Sequence, residues 1–203
     1  MALVSTSWSE AERGLRPVAP DASEPDDREL ALRSARGDHA AFACIYARHH
    51  ASVYQVACRL LLDPSDGADV TQEAFLKAWE RVRELREPEH FRGWLLRIVV
   101  NTALNWRARR KREKWVLRRL ADHEVGPPAS VPAMSKEARD LVEQALGKLS
   151  KKLRTAVVLR YVAQLPYTEV ARAMNCGEPT ARTRVSRGLV ELEGHLKCLR
   201  GEA

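Results

Sequence analysis

No apolar run in this sequence approaches the roughly 18 residues of a membrane span. The longest uncharged apolar stretches are short, such as Ile98-Val99-Val100 and Ala156-Val157-Val158-Leu159. Aromatic residues make up only 6% of the chain, and its four cysteines, Cys44, Cys58, Cys176 and Cys198, form no C-x-x-C pair. That spacing argues against a zinc ribbon and a thioredoxin-like motif, so the thiols are expected to be reduced, small, buried apolar groups. The first 13 residues carry Ser5, Ser7, Ser9, Glu10 and Glu12 in place of a basic start and an apolar core, so no secretory signal is expected and a cytoplasmic location is. No glycine-rich phosphate loop or nucleophile with an adjacent base is present. The histidines and cysteines at His39, Cys44, His49, His50, Cys58, His195 and Cys198 do not supply a closed ligand set. Catalysis, a metal and a cofactor are therefore not expected.

What the chain does have is positive charge, unevenly placed. The 203 residues carry a formal net charge of +7. Residues 1–27 hold two basic against six acidic side chains, residues 28–115 seventeen against eleven, residues 116–137 three against three, and residues 138–203 twelve against seven. Two basic blocks thus flank a neutral connector behind an acidic leader. The leader has Pro17, Pro20 and Pro25 among acidic and small residues, too little apolar material to offset its ordering entropy, and is expected to be disordered. Gly126-Pro127-Pro128-Ala129-Ser130-Val131-Pro132 removes backbone donors and biases the chain away from helix, so 116–137 reads as a flexible linker crossed by few contacts. As a free coil it would span about 25 Å.

Apolar residues in both blocks recur at helical spacing, which predicts an all-α chain with two small helical domains. From Asp38 as N-cap, the series Phe42, Ile45, Tyr46, Val53, Val56, Ala57, Leu60, Leu61 lines one face of a long helix. Asp63-Pro64-Ser65-Asp66-Gly67 reads as its stop. Val70 to Val82 and Trp94 to Trp106 mark two more helices. In the C-terminal block Leu141 to Leu149, Leu153 to Tyr161 after a Ser150 cap, Thr168 to Met174 and Pro179 to Leu199 mark four.

Between the last two lies Met174-Asn175-Cys176-Gly177-Glu178-Pro179-Thr180. Asn175 tolerates the left-handed conformation, Gly177 frees the chain and Pro179 suits a first helical turn, the pattern of a helix-turn-helix. The second helix offers Glu178, Thr180, Arg182, Thr183, Arg184, Ser186 and Arg187 near its start, while Ala181, Val185, Leu189 and Leu192 can face inward. Short hydroxyls and arginines there suit base edges and phosphates. A second basic element lies upstream. Arg97, Asn101 and Asn105 share one helical face, and Arg107, Arg109, Arg110, Lys111 and Arg112 follow, with Glu113 the single acid in the run to Lys114. Charge in such excess predicts phosphate contacts.

Taken together, these motifs resemble bacterial RNA polymerase sigma factors of the extracytoplasmic-function (ECF) group, over roughly residues 28–112 and 138–198. Asp66 to Trp79 (DGADVTQEAFLKAW) resembles the family's polymerase-binding helix. Phe91 to Asn101 (FRGWLLRIVVN) with the following basic run is similar to its promoter-melting and minus-ten segment, and Tyr167 to Ala171 leading to Thr180–Arg187 resembles its minus-thirty-five reader. The resemblance implies that Asp66, Asp69, Gln72, Glu73 and Phe75 bind the clamp helices of core RNA polymerase. It further implies that the C-terminal unit (138–203) contacts the flap tip, that promoter DNA is the other partner, and that an anti-sigma factor holds the protein inactive. The chain departs from the family pattern at Asn105, where Asp is common, at Asn175 in place of a turn glycine, and at Ala181 in place of Val. The alternative is a helix-turn-helix regulator acting without polymerase, which would leave the two upstream motifs without a role.

Overall fold

A computed structural model describes residues 25–117 and 136–200; side chains at 111–117, 136, 139 and 200 lie outside that description. The expected leader up to residue 24 and the linker core at 118–135 also fall outside it. Among the described residues there are eight α-helices and no strand. They are α1 Asp27–Ala35, α2 His39–Leu61, α3 Pro64–Arg81, α4 Phe91–Leu117, α5 Lys136–Lys148, α6 Lys151–Val157, α7 Tyr167–Ala173 and α8 Glu178–Arg200. Short 3₁₀ turns at Val82–Glu84 and Pro88–His90 join α3 to α4, and α6 runs on into a π turn at Val158–Val162.

The helix boundaries follow local chemistry. Asp38 caps α2 by accepting from the Ala41 N–H at 3.0 Å, a bond that holds its carboxyl below the usual range with help from Arg33. Gly37, at φ 92°, supplies the left-handed turn between α1 and α2. The segment read as a stop is instead a stop and a start: Leu62 closes α2 at φ 60°, then Asp63 caps α3 with Pro64 in its first turn. Asp66 and Gly67 are consequently helical. Ser150 caps α6 as expected, its hydroxyl accepting from Leu153 N–H at 3.4 Å.

Helix α1 has no counterpart in the apolar spacing read from the sequence. Asp26 caps it, and Asp27, placed in the leader by composition, pairs with Arg48 at 2.9 Å and His49 at 2.8 Å on α2. Asp26 and Asp27 of the expected leader thus belong to this helix, because two acids at a helix N-terminus find both backbone donors and cations. Residues 116–117 and 136–137, placed in the linker from the sequence, are likewise helical, since α4 reaches Leu117 and α5 begins at Lys136.

Helices α1 to α4 enclose a core centred on Leu30, Ile45, Val56, Val70, Phe91, Leu95 and Val99, all almost wholly removed from solvent. Burying side chains of this size stabilises the unit by about 1.5 to 3 kcal/mol each. The C-terminal helices bury Ala145, Leu159, Ala163, Val170, Ala181 and Val185. Contrary to the expected sparse contact between the halves, the two cores are continuous. Arg92 donates to Ala163 O at 2.5 Å, His90 pairs with Glu169 at 2.9 Å, and Arg59 pairs with Glu143 at 2.6 Å. Arg154, buried in α6, donates to Leu146, Gly147 and Leu149 O in its own unit and to Leu60 O across the interface at 3.3 Å. Burial, aided by nearby Arg107, pushes its guanidinium down to about 10. Proline composition in the connector spoke for the tether alone; the facing apolar surfaces decide whether the halves touch.

The thiols also differ from expectation. Cys44 and Cys198 are exposed and Cys58 half-buried, because their neighbours on the same helices carry the core positions, and Cys176 is half-buried in the corner between α7 and α8.

Candidate nucleic-acid interface

Helix α4 presents its expected face. Arg97, Asn101 and Asn105 all point to solvent at i, i+4, i+8. The basic run behind them divides. Arg107 turns inward and donates to Leu60 O at 3.1 Å, a structural bond in place of a free DNA-facing cation. Arg109 lies over the Trp106 ring at 5.4 Å and pairs with Glu73, while Arg110 lies 3.0 Å from Asp66. The Asp66 contact is an ion pair without an aligned hydrogen bond. Lys111 and Arg112 continue the helix with side chains outside the described residues. Acids from α3 pair with Arg109 and Arg110, since helices packed side by side pair charges far apart in sequence.

On α3, Asp69 and Gln72 are exposed, and Glu73 is half-buried between Lys77, at 2.5 Å, and Arg109. Burial raises the Glu73 carboxyl, but Lys77 and Arg109 outweigh it and hold it below the usual carboxylate range. Two of the residues implied by resemblance are not surface groups: Asp66 is 7% exposed and Phe75 4%. Phe75 belongs to the core because it packs edge-on to Phe42 and against Tyr46. Leu76, 65% exposed, instead continues the Asp69–Gln72 stripe at helical spacing. That spacing is its signal in the sequence, one that a leucine hides because Leu usually belongs to a core.

The corner between α7 and α8 forms as the turn chemistry predicts. Asn175 takes φ 50°, and Gly177 O accepts from Ala181 N–H at 3.0 Å. Gly177 itself needs no left-handed conformation, because Asn175 already makes the turn. Ala181 and Val185 are buried against the core, which leaves Thr180, Arg182, Thr183, Ser186 and Arg187 exposed and Arg184 half-buried. Thr183 hydroxyl donates to Pro179 O at 2.9 Å, and Glu178 pairs with Arg182. Pro179, Thr180, Thr183, Arg184 and Arg187 with Leu153 line an open groove of about 350 Å³ along the start of α8. A cationic groove beside an exposed helix N-terminus can take a polyanion. Among the described residues, no helix is long and apolar enough to cross a membrane.

Comparison with known proteins agrees with this geometry. Residues 45–113 match the Sigma-70 region 2 family and residues 139–192 the Sigma-70, region 4 family. The chain is 32% identical to the RNA polymerase sigma-H factor of Pseudomonas aeruginosa, over 89% of this chain and 99% of that one. It is also 32% identical to the ECF RNA polymerase sigma-E factor of Escherichia coli K12, over 85% and 95%. Among solved structures it is similar to CnrH in complex with the cytosolic domain of CnrY, at TM-score 0.64, 26% identity, and 85% and 97% coverage. The fold is shared with the sigma factor RpoE bound to the anti-sigma factor NepR from Bartonella quintana, at TM-score 0.67, 22% identity, and 77% and 96% coverage. With both conserved regions in order on one chain and relatives matched along nearly their whole length, this protein belongs to the ECF group of sigma-70 family RNA polymerase sigma factors.

Proposed function

We propose that the chain acts in the cytoplasm as a dissociable specificity subunit that docks on core RNA polymerase, selects promoters and helps open them, without catalysing a reaction itself. The observation that carries this reading is the presence of two separate solvent-facing basic and polar faces on one chain, on α4 and α8, beside the Asp69–Gln72–Leu76 stripe of α3. Arg97, Asn101 and Asn105 on α4 face the minus-ten region, with Arg109, Arg110, Lys111 and Arg112 on phosphates. Thr180, Arg182, Thr183, Arg184, Ser186 and Arg187 on α8 face the minus-thirty-five element. Asp69, Gln72, Glu73 and Leu76 on α3 dock on the clamp helices; Asp66 and Phe75 support that stripe from beneath. Separating the strands rests on capturing a base that leaves the stack, which repays an unpairing cost of about a few kcal/mol.

Because CnrH and RpoE are each found with a bound partner, an anti-sigma factor is the expected inhibitor here. The deciding experiment is in vitro transcription from a fragment library with core polymerase, with and without this chain. New start sites appearing only with the chain support the reading. Tight promoter binding by the chain alone, with no affinity for core, would replace it with a helix-turn-helix regulator.

A further inference from the structure

Tyr167 opens α7, the first helix of the helix-turn-helix, and its half-buried ring lies under a side chain of the second helix. The Arg182 guanidinium carbon is 4.4 Å from the Tyr167 ring centroid. Its Nε and Nη2 both donate to Glu178 Oε1, at 3.0 and 2.5 Å. The Arg182 side chain is 58% exposed, so without these two restraints it would sample many rotamers and lose that freedom on meeting a base. Ring and carboxylate together fix both the plane and the direction of the guanidinium, and planar fork geometry is what bidentate base recognition uses.

The ring is itself held from the protein side. Arg160 places its guanidinium carbon 5.1 Å from the same centroid and donates to Leu165 O at 3.3 Å, while its buried Nε has no hydrogen-bond partner. A guanidinium short of one hydrogen bond gains from an aromatic face, so Arg160 and Tyr167 stabilise each other's position. Arg160, Tyr167 and Arg182 therefore form a continuous chain from the interior of the C-terminal unit to the tip of α8.

We propose that Tyr167 is a positioning residue for sequence reading: with Glu178, it sets the orientation in which Arg182 meets the upstream element. This rests on α8 being the DNA-reading helix. Tyr167 need touch no base, and its hydroxyl is not required, since the restraint comes from the ring face.

The test uses full-length chain in holoenzyme with core polymerase. Upstream duplexes randomised over the minus-thirty-five window are first selected for binding. Affinities for the selected sequence and its single-base variants are then measured for wild type, Tyr167→Leu, Tyr167→Phe, Arg182→Ala and the double variant Tyr167→Leu/Arg182→Ala. Discrimination should fall about two- to fivefold in Tyr167→Leu, as expected when a cation–π interaction is removed. Tyr167→Phe should keep it, and Tyr167→Leu should have no further effect once Arg182 is Ala. An unchanged ratio in Tyr167→Leu, or the same loss in the Arg182→Ala background, would overturn the inference while leaving the DNA-reading helix intact. Should Tyr167→Leu not fold, Glu178→Ala tests the other arm of the restraint at a half-buried site on the first turn of α8. It must lower discrimination too, and an unaltered ratio again rejects the inference. If wild-type holoenzyme selects no upstream sequence, the assignment of α8 fails, and this inference with it.

Discussion

Arg109 Nη2 donates to both carboxylate oxygens of Glu73, at 3.1 and 2.9 Å, so a cation of α4 proposed to meet DNA rests on an acid of the α3 stripe proposed to dock on polymerase. The two surfaces share charge, and whatever engages one alters the other.

Glu73→Gln should therefore weaken binding to core polymerase and strengthen the chain's own affinity for duplex DNA. An exposed pair of this kind is worth about 0.2 to 1 kcal/mol, so the gain should be up to about fivefold. Fluorescence anisotropy with a labelled duplex, without polymerase and at low salt, reads it; a weaker or unchanged affinity would mean Arg109 does not approach phosphate.

Replacing Arg109 and Arg110 together by Ala should reduce holoenzyme binding on every promoter tested. The slope of log affinity against log salt should become shallower by roughly one for each phosphate that the arginines no longer neutralise. A loss confined to particular minus-ten sequences would instead assign these arginines to bases.

Arg154→Leu should destabilise the fold by about 2 to 4 kcal/mol, because the carbonyls of Gly147 and Leu149 lose a guanidinium donor while Leu60 O is left with Arg107 and Leu146 O with the Leu149 N–H. For a chain of this size the melting temperature should drop on the order of 10 °C, measured by circular dichroism. A shift below about 2 °C would show that water takes over those acceptors.

Acid should loosen α1 from α2. Burial raises the Asp27 carboxyl, yet its bonds to His49 and Arg48 outweigh this and hold it below the usual range. A carboxyl depressed in the folded state contributes stability that is complete above its unfolded value, near pH 4, and is lost as pH falls through the lower folded value. Urea midpoints between about pH 6 and pH 3 should fall less steeply in Asp27→Asn than in wild type. Parallel curves would place the acid sensitivity elsewhere.

Gly93→Ala should drive the halves apart. A Cβ at Gly93 meets the Glu169 carboxylate, whose Oε2 is already buried without a partner while Oε1 is held by His90 and Arg172. Small-angle scattering should report a larger radius of gyration with helix content unchanged; identical profiles would mean that Glu169 changes rotamer and the interface survives.

Helix content, the caps at Asp38 and Ser150 and the corner at Asn175 were legible in the sequence because each is set within a few residues. What was not legible depends on partners distant along the chain. Nothing local to Arg107, Arg109 or Arg110 indicates that Leu60 O, Glu73 and Asp66 would meet them. For the same reason the family motif points to Phe75 as a docking group and passes over Leu76, when the packing of α3 on α2 buries the first and exposes the second. Helix α1 is not legible because it has few apolar residues, Leu30 and Ala31 being buried only by packing on distant helices, and because Asp27, which reaches across to α2, looks like part of an acidic tail.

The carbonyl of Leu60, at the end of α2, accepts from Arg107 of its own half and from Arg154 of the other. An oxygen with two lone pairs can lose one guanidinium and keep the second. Were the C-terminal half to swing outward, this acceptor would keep the Arg107 guanidinium, and the last turn of α2 would not be left with a stranded carbonyl here.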